Sequence, residues 1–311
     1  MSAYHTSSPV IFLIFNRPDT TQLVFDQIRN AQPSRLYIAA DGPRDSRPDD
    51  KTLCAQARSV IENIDWPCEV KTLFREENLG CKYAVSESLD WFFKQEEEGI
   101  ILEDDCLPSE DFFRLCDVLL EKYRYDTRIF QIAGCNFQQG RKWGDASYYF
   151  SNLLEVWGWA SWRRVWQLYD PDLLQFDERD ITTSLDILFN EPLVTMEYAN
   201  IFKRLKANEI DTWDYQLKFI NFFNNGLCAI PNDNLVSNIG FRDDATHTVD
   251  LDGRVANLPH GKLEKVLRHP HVILPSKMAD LAILDVEFSI EKKKQKEKRI
   301  SRRIKRWLFK R

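Results

Sequence analysis

Residues 99–108 read "GIILEDDCLP". An apolar run, Ile100-Ile101-Leu102, ends in three consecutive acids, Glu103, Asp104 and Asp105. Like charges this close repel, and burial raises the cost. The run therefore reads as a strand that ends either in solvent or beside a countercharge. Oxygen ligands of this kind suit a divalent cation. Pro108 and the Ser-Glu-Asp-Phe-Phe run after it mark the start of a helix.

Working outward, the first hundred residues alternate between two periodicities. Val10–Phe15 is short, apolar and β-rich, and the turn Asn16-Arg17-Pro18-Asp19 follows it. Residues 20–29 place Leu23, Val24 and Ile28 on one helical face. Leu36–Ala40 is the next strand and ends at Asp41-Gly42-Pro43. Residues 55–64 read as helix, 70–74 as strand and 81–93 as an amphipathic helix. Strands alternating with helices predict a mainly parallel sheet covered by helices. Ligands of such sheets bind beyond the carboxyl ends of the strands. Asn16/Arg17, Asp41/Gly42 and Glu103–Asp105 each follow a strand, so one rim of the sheet collects them.

The second half shows less periodicity. Residues 129–133 and 227–231 read as strands and 213–223 as helix, with a loop over 238–248. Four of the nine Trp fall between residues 157 and 166, which suits either a packed core or a wall for a sugar ring. Glu155 precedes them as a candidate partner for sugar hydroxyls. Asp211 and Asp214 stand at the start of the 213–223 helix, where acids either cap the helix or serve as a base.

Composition narrows the class. The chain has 311 residues, 43% hydrophobic and 29% charged, which is enough apolar matter for one large core and unlike a disordered chain. No apolar run reaches 18 residues, so no membrane-spanning helix is expected, and the first residues lack the basic start of a signal peptide. Seven scattered cysteines without a C-x-x-C fit reduced thiols in a cytosolic compartment. The net charge of −6 conceals an asymmetry. Residues 292–311 carry +11 and residues 1–291 carry −17. The basic tail interleaves Ile300, Ile304, Trp307, Leu308 and Phe309, which suits an amphipathic segment on an anionic membrane surface. The acidic body repels phosphate, so nucleic acid is not expected as a partner.

Several stretches together resemble a known family. They are PVIFLIFNRP (9–18), ILEDDCLPSEDFF (101–113), EVWGWASWRRVW (155–166), TWDYQL (212–217) and IPNDNLVSNIGF (230–241). In this order they resemble GT-A fold nucleotide-sugar glycosyltransferases, in particular the N-acetylglucosaminyltransferase I type and related bacterial enzymes. The resemblance implies a Rossmann-like α/β catalytic domain over 1–288. Residues 1–105 would be its nucleotide-binding half and 106–288 its donor-sugar and acceptor half, with a basic amphipathic tail at 289–311. It implies an inverting, metal-dependent transfer of a sugar, with N-acetylglucosamine one candidate, from a UDP-sugar to a glycan or lipid-linked acceptor. Surface polysaccharide synthesis on the inner face of the cytoplasmic membrane would suit such a reaction.

Residue by residue, the resemblance puts Arg17 near the nucleotide and phosphates and Asp41 at the uracil. Glu103 and Asp104 would face the ribose and donor sugar, and Gly158 and Trp159 would line the donor-sugar pocket. Asp105 would ligate Mn²⁺ or Mg²⁺, and His247 would contact the metal or the diphosphate. Asp214 would be the catalytic base, with Asp211 the alternative. Three other classes compete. A nucleotidyltransferase on a similar sheet would want a Gly-rich basic loop after the first strand, where this chain offers only Arg17. A glycosidase would need two carboxylates flanking the bond. A membrane-surface binding protein would act through the tail alone.

Overall fold

The computed structural model describes residues 4–174, 177–241, 255, 257–296 and 298–299. Its first half runs β1 (Val10–Ile14), α1 (Pro18–Ala31), β2 (Arg35–Ala40), α2 (Asp50–Arg58), β3 (Glu69–Phe74), α3 (Gly80–Phe93) and β4 (Glu98–Glu103). It continues with β5 (Cys106–Pro108), α4 (Glu110–Tyr123), β6 (Ile129–Ala133), β7 (Tyr148–Ser151), β8 (Trp159–Trp162) and α5 (Arg163–Trp166). The remainder is α6 (Glu178–Phe189), α7 (Pro192–Lys206), α8 (Asp214–Phe223), β9 (Leu227–Pro231), β10 (Val236–Asn238) and α9 (Lys277–Phe288).

Eight strands form one sheet in the order β3-β2-β1-β4-β8-β6-β9-β7. The pairs β3–β2, β2–β1, β1–β4 and β6–β9 are parallel, and those made by β8 and β7 are antiparallel. Six strands therefore point one way, and the fold is α/β with a large, mostly parallel sheet flanked by helices. Every residue of β1 is buried, as a strand covered on both faces must be. Its alternation sorts the two cores. Val10, Phe12 and Ile14 join Val24, Ile28, Leu115 and Leu119 of α1 and α4 on one face. Ile11 and Leu13 join Leu89 and Phe92 of α3, Tyr198 of α7, Leu217 of α8 and Ile283 of α9 on the other.

The strand order fixes the site. β1, β2 and β3 step outward in one direction, and the chain then returns to lay β4 on the other side of β1. The switch point lies between the carboxyl ends of β1 and β4, where a crevice opens in sheets of this kind. Arg17 and the acid triplet stand at those two ends. Pro18 starts α1 with the fixed φ that suits a first helical position, so the chain turns away from the sheet directly after Arg17.

Several elements extend beyond the sequence expectation. The helix expected at 55–64 starts earlier, as Asp50–Arg58, and tightens into a 3₁₀ turn at Ser59–Asn63. The less regular second half holds two sizeable helices, α6 and α7, joined by the left-handed Asn190 and by Pro192. The composition shift at residue 289 coincides with a left-handed Ser289 that ends α9. Residues 290–296 are helical again, and Lys293 pairs with Glu197 of α7 and Lys294 with Glu191 just before that helix. The start of the basic tail thus docks on the acidic body. Residues 300–311 lie outside the described residues.

Candidate active site

A cleft of about 390 Å³ opens at the switch point. Its floor is the end of β1 and the acid triplet, and Trp157, Asp211, Trp213 and Asp214 form the far wall. Arg17 Nη1 lies 2.8 Å from Asp105 Oδ2, an ion pair that spans the gap between β1 and β4. The Phe15 backbone N–H donates to Asp104 Oδ2 at 3.0 Å. Asp105 is held from the other side by a small two-stranded sheet, in which β10 pairs antiparallel with β5. The Ile239 N–H donates to the Asp105 carbonyl at 2.8 Å. Any Cβ at Gly240 would stand 2.2 Å from Asp105 Oδ2, so the loop after β10 presses its backbone against that carboxylate.

The electrostatics answer the question posed by the triplet. Six carboxylates line the cleft (Asp41, Glu103, Asp104, Asp105, Asp211 and Asp214) against two guanidiniums, Arg17 and Arg44. Burial first, then the neighbouring Asp105, pushes Asp104 up to about 7. Burial and both neighbouring acids hold Glu103 well above the usual carboxylate range. The cleft thus holds more negative charge than its own cations offset.

Two of these carboxylates have structural partners. The Leu79 and Gly80 N–H groups and the Asn78 side chain donate to Asp41. The Cys81 and Lys82 N–H groups donate to Asp211 at 3.1 and 3.0 Å. The four unpaired amides at the start of α3 are thereby satisfied by two acids remote in sequence. Helix and carboxylate favour each other there, because the N-terminus carries partial positive charge. Asp214 is the first residue of α8, and only Thr212 Oγ1 donates to its side chain among the described residues.

A second cavity of about 410 Å³ lies behind the cleft. Val156, Trp157 and Asp214 line both. Glu155 faces this second cavity and not the cleft, together with Lys218, Tyr215 and Glu287. Burial pushes Glu155 up to about 8, against the pull of Lys218. Lys218 Nζ pairs with Glu287 at 3.0 Å, and Tyr198 donates to the same carboxylate at 3.1 Å.

The structure therefore brings together Arg17, Asp41, Glu103, Asp104, Asp105, Asp211 and Asp214. It sets Glu155 in the adjoining cavity. Gly158 and Trp159 line neither space. Trp159 is 1% exposed in β8 and stacks on Trp213 with ring centroids 5.8 Å apart. Gly158 has a φ of +63° and lies against Val236, where a Cβ would come within 2.7 Å. Of the 157–166 cluster the ring on the cleft wall is Trp157, edge-on to Phe137 and Phe241. His247 falls outside the described residues. Sequence reasoning held Trp157 only as a member of the Trp cluster and missed Lys218 and Glu287. Lys218 carried a usable signal, a lysine one turn after Asp214 and set between Leu217 and Phe219.

A metal was expected at the triplet. Among the described residues no group of three His, Cys, Asp or Glu side chains forms a metal site. The donor set fits a cation held by one carboxylate, with water and a diphosphate completing its shell. Among the described residues Asp105 Oδ1 has only two weak contacts, each at 3.5 Å, from Asn238 Nδ2 and Cys106 Sγ. The excess of negative charge around it favours a countercharge.

No protein-family model and no curated protein matches the chain. Among solved structures it is similar to a UDP-glucose pyrophosphorylase complexed with UDP-glucose, at 12% identity and a TM-score of 0.34 over 53% of this chain and 81% of that one. It is similar to a UTP-bound UGPase from Acinetobacter baumannii at 9% identity and a TM-score of 0.33, over 74% and 88%. It is also similar to mouse xyloside xylosyltransferase 1 in its apo form at 11% identity and a TM-score of 0.31, over 71% and 81%. Likenesses at this level say nothing of this chain's activity.

Proposed function

We propose that the protein is an inverting, metal-dependent glycosyltransferase that uses a UDP-sugar. The observation that carries this reading is the cleft itself. A triplet of acids and Arg17 meet at the switch point of the sheet, and Asp214 faces them from the wall shared with a second cavity. An excess of carboxylates repels a diphosphate on its own. It admits one that arrives with a divalent cation.

In this reading the nucleoside lies toward Phe15, Ala39, Arg44 and Asn78, and Arg17 lies beside the phosphates. Asp41 shapes this end of the cleft through the start of α3. Asp105 holds Mn²⁺ or Mg²⁺, which when bound neutralises charge on the departing diphosphate. Asp214 takes the proton of an acceptor hydroxyl as that oxygen attacks the anomeric carbon. The bond from the anomeric carbon to the phosphate oxygen breaks, and UDP leaves on the opposite side. Trp157 separates the reacting sugar from the space behind. The acceptor is a glycan or lipid-linked sugar, with surface polysaccharide synthesis as the setting. The tail from residue 289 onward attaches the enzyme to an anionic membrane surface. Among the described residues no helix is long and apolar enough to cross a membrane.

A thermal-shift panel of UDP-glucose, UDP-galactose and UDP-N-acetylglucosamine, with Mn²⁺ or with chelator, tests the reading. A true donor at about 100 times its dissociation constant stabilises the fold by ~2.7 kcal/mol. That gain should vanish with chelator. Equal stabilisation with and without metal contradicts the reading. Release of pyrophosphate from UTP and a sugar phosphate would replace it with nucleotidyl transfer.

A further inference from the structure

The second cavity has features that the donor reading does not use. Glu155 is 8% exposed, it faces this cavity, and among the described residues no group donates to its carboxylate. A buried carboxyl without a partner costs free energy, so such groups in native proteins call for an explanation. This one lines a cavity whose size falls within the range of small-molecule sites.

The walls restrict what fits. Phe137, Trp157, Tyr215 and Phe288 supply aromatic surface, and Ile210 and Ile283 add aliphatic surface. The polar groups are few. They come from a loop and two helices: Glu155, Thr212, Asp214, the Tyr215 hydroxyl and the Lys218–Glu287 pair. A lipid chain would leave Glu155 unpartnered. An anion would face Asp214 with the one lysine already paired to Glu287, so a phosphate or anionic headgroup is disfavoured. A second cation would compete with Lys218. A neutral ring with hydroxyls on its edge and C–H groups on its faces satisfies both kinds of wall.

We infer that this cavity is the acceptor site and binds a neutral pyranoside, with Glu155 and Lys218 on its hydroxyls and the reacting hydroxyl at Asp214. The inference deepens the glycosyltransferase reading and rests on it for the reaction, although binding can be tested apart from it. The geometry that supports it is the shared wall, because a ligand in the cleft and one in the cavity meet at Asp214. Glu155 is pushed up to about 8 by burial, with Lys218, Glu287, Asp214 and Asp280 as the charged groups acting on it. It is therefore largely protonated at neutral pH and can donate as well as accept.

Saturation-transfer NMR with the full chain tests the site, using methyl β-glucoside, methyl β-galactoside and methyl N-acetyl-β-glucosaminide as probes and UDP with Mn²⁺ as the cleft ligand. At least one glycoside should give a signal with the native protein. Val286→Trp, which fills the cavity from α9, should reduce that signal at least fivefold and leave UDP binding unchanged. Glu155→Leu keeps the volume, removes the polar partner, and should weaken glycoside binding about tenfold. It serves as the readout if the Trp variant fails to fold. Glycoside signals that survive in a folded variant overturn the inference. So does UDP binding with no glycoside signal, an outcome that leaves the donor reading intact. Glycoside binding that responds to both variants, in a protein that binds no UDP, supports the cavity and removes the donor reading.

Discussion

Strands β3, β2, β1 and β4 are parallel and are laid down by adjoining stretches of chain, with a helix between each strand and the next. Strands β8, β6, β9 and β7 come together differently. Ile101 pairs with Trp159, Ile132 with Ala229 and Phe150 with the same Ala229, so these strands lie out of chain order, and β8 and β7 run antiparallel to their neighbours. The two halves also contribute different chemistry. The first brings acids and an arginine to strand ends along one rim. The second brings Trp157, Asp214, Lys218 and Glu287 from a loop and two helices to form walls. In the proposed reading the first half would hold the nucleotide and the second half would place the acceptor.

The largest expected effect lies in the first half. Asp105→Ala should abolish transfer and remove the Mn²⁺-dependent part of UDP binding, while the melting temperature changes little. Calorimetric titration of UDP with and without Mn²⁺ reads this. Full activity in excess chelator would break the assignment of the rim to a metal-bound diphosphate.

Asp214→Asn should lower kcat by ~10²–10⁴-fold, the range for a lost general base, and leave UDP-sugar binding near normal. Asn keeps the shape and retains hydrogen bonding at the start of α8. A loss of donor affinity as large as the loss of turnover would erase the division between the halves.

Gly240→Ala probes the point where the halves touch. The added Cβ collides with Asp105 Oδ2, which the Arg17 pair holds in place. The carboxylate must move, and displacement of a reacting centre by ~1 Å can cost about 10²-fold in rate. Rates measured over a range of Mn²⁺ should show a raised metal requirement. An unaltered metal dependence would mean that the loop after β10 does not position Asp105.

Glu155 should make stability depend on pH. Its carboxyl shifts from its usual 4.5 to about 8 in the fold. Between those values the folded protein binds the proton and the unfolded chain does not, so stability falls as pH rises. The full contribution is present below about 4.5 and lost above about 8. Glu155→Gln should flatten this slope between pH 5 and 8 in a thermal melt. A slope identical to that of the native protein would place the titrating group elsewhere.

The first half was legible because its signals are local. Val10–Ile14 is apolar throughout and is followed by Pro18, and the alternation of 3.6 and 2.0 periodicities survives without any long-range contact. The triplet stood out because three acids after an apolar strand conflict with burial. The second half was obscure because its order depends on pairing. Trp159 and Trp162 read equally well as a sugar platform and as core, and only the partnership of β8 with β4 and β6 decides for the core. Asp41 and Asp211 illustrate the same limit. Each looks like a ligand-binding acid in sequence, and each is tied to the start of α3 by contacts 38 and 130 residues away.

The smallest expected effect separates a cap from a base. Asp211 was the alternative to Asp214, and it still lines the cleft. Its two oxygens each accept from one amide, Cys81 or Lys82, so both are oriented toward α3 and its charge is favoured by the start of that helix. A general base needs a free oxygen pointing at the acceptor proton. Asp211→Ala should therefore cost about 1 kcal/mol of stability, the usual scale for a lost helix cap. In a domain of this size that lowers the melting temperature by about 2–4 °C. Turnover below that temperature should remain within a fewfold of native, because Asp41 still holds the first two amides of α3. Asn should restore most of the lost stability, since its carbonyl can still accept from one amide. The reverse pattern, with intact melting and turnover down a hundredfold, would make Asp211 the base and would place the acceptor on the α3 side of the cleft instead of in the cavity behind Trp157.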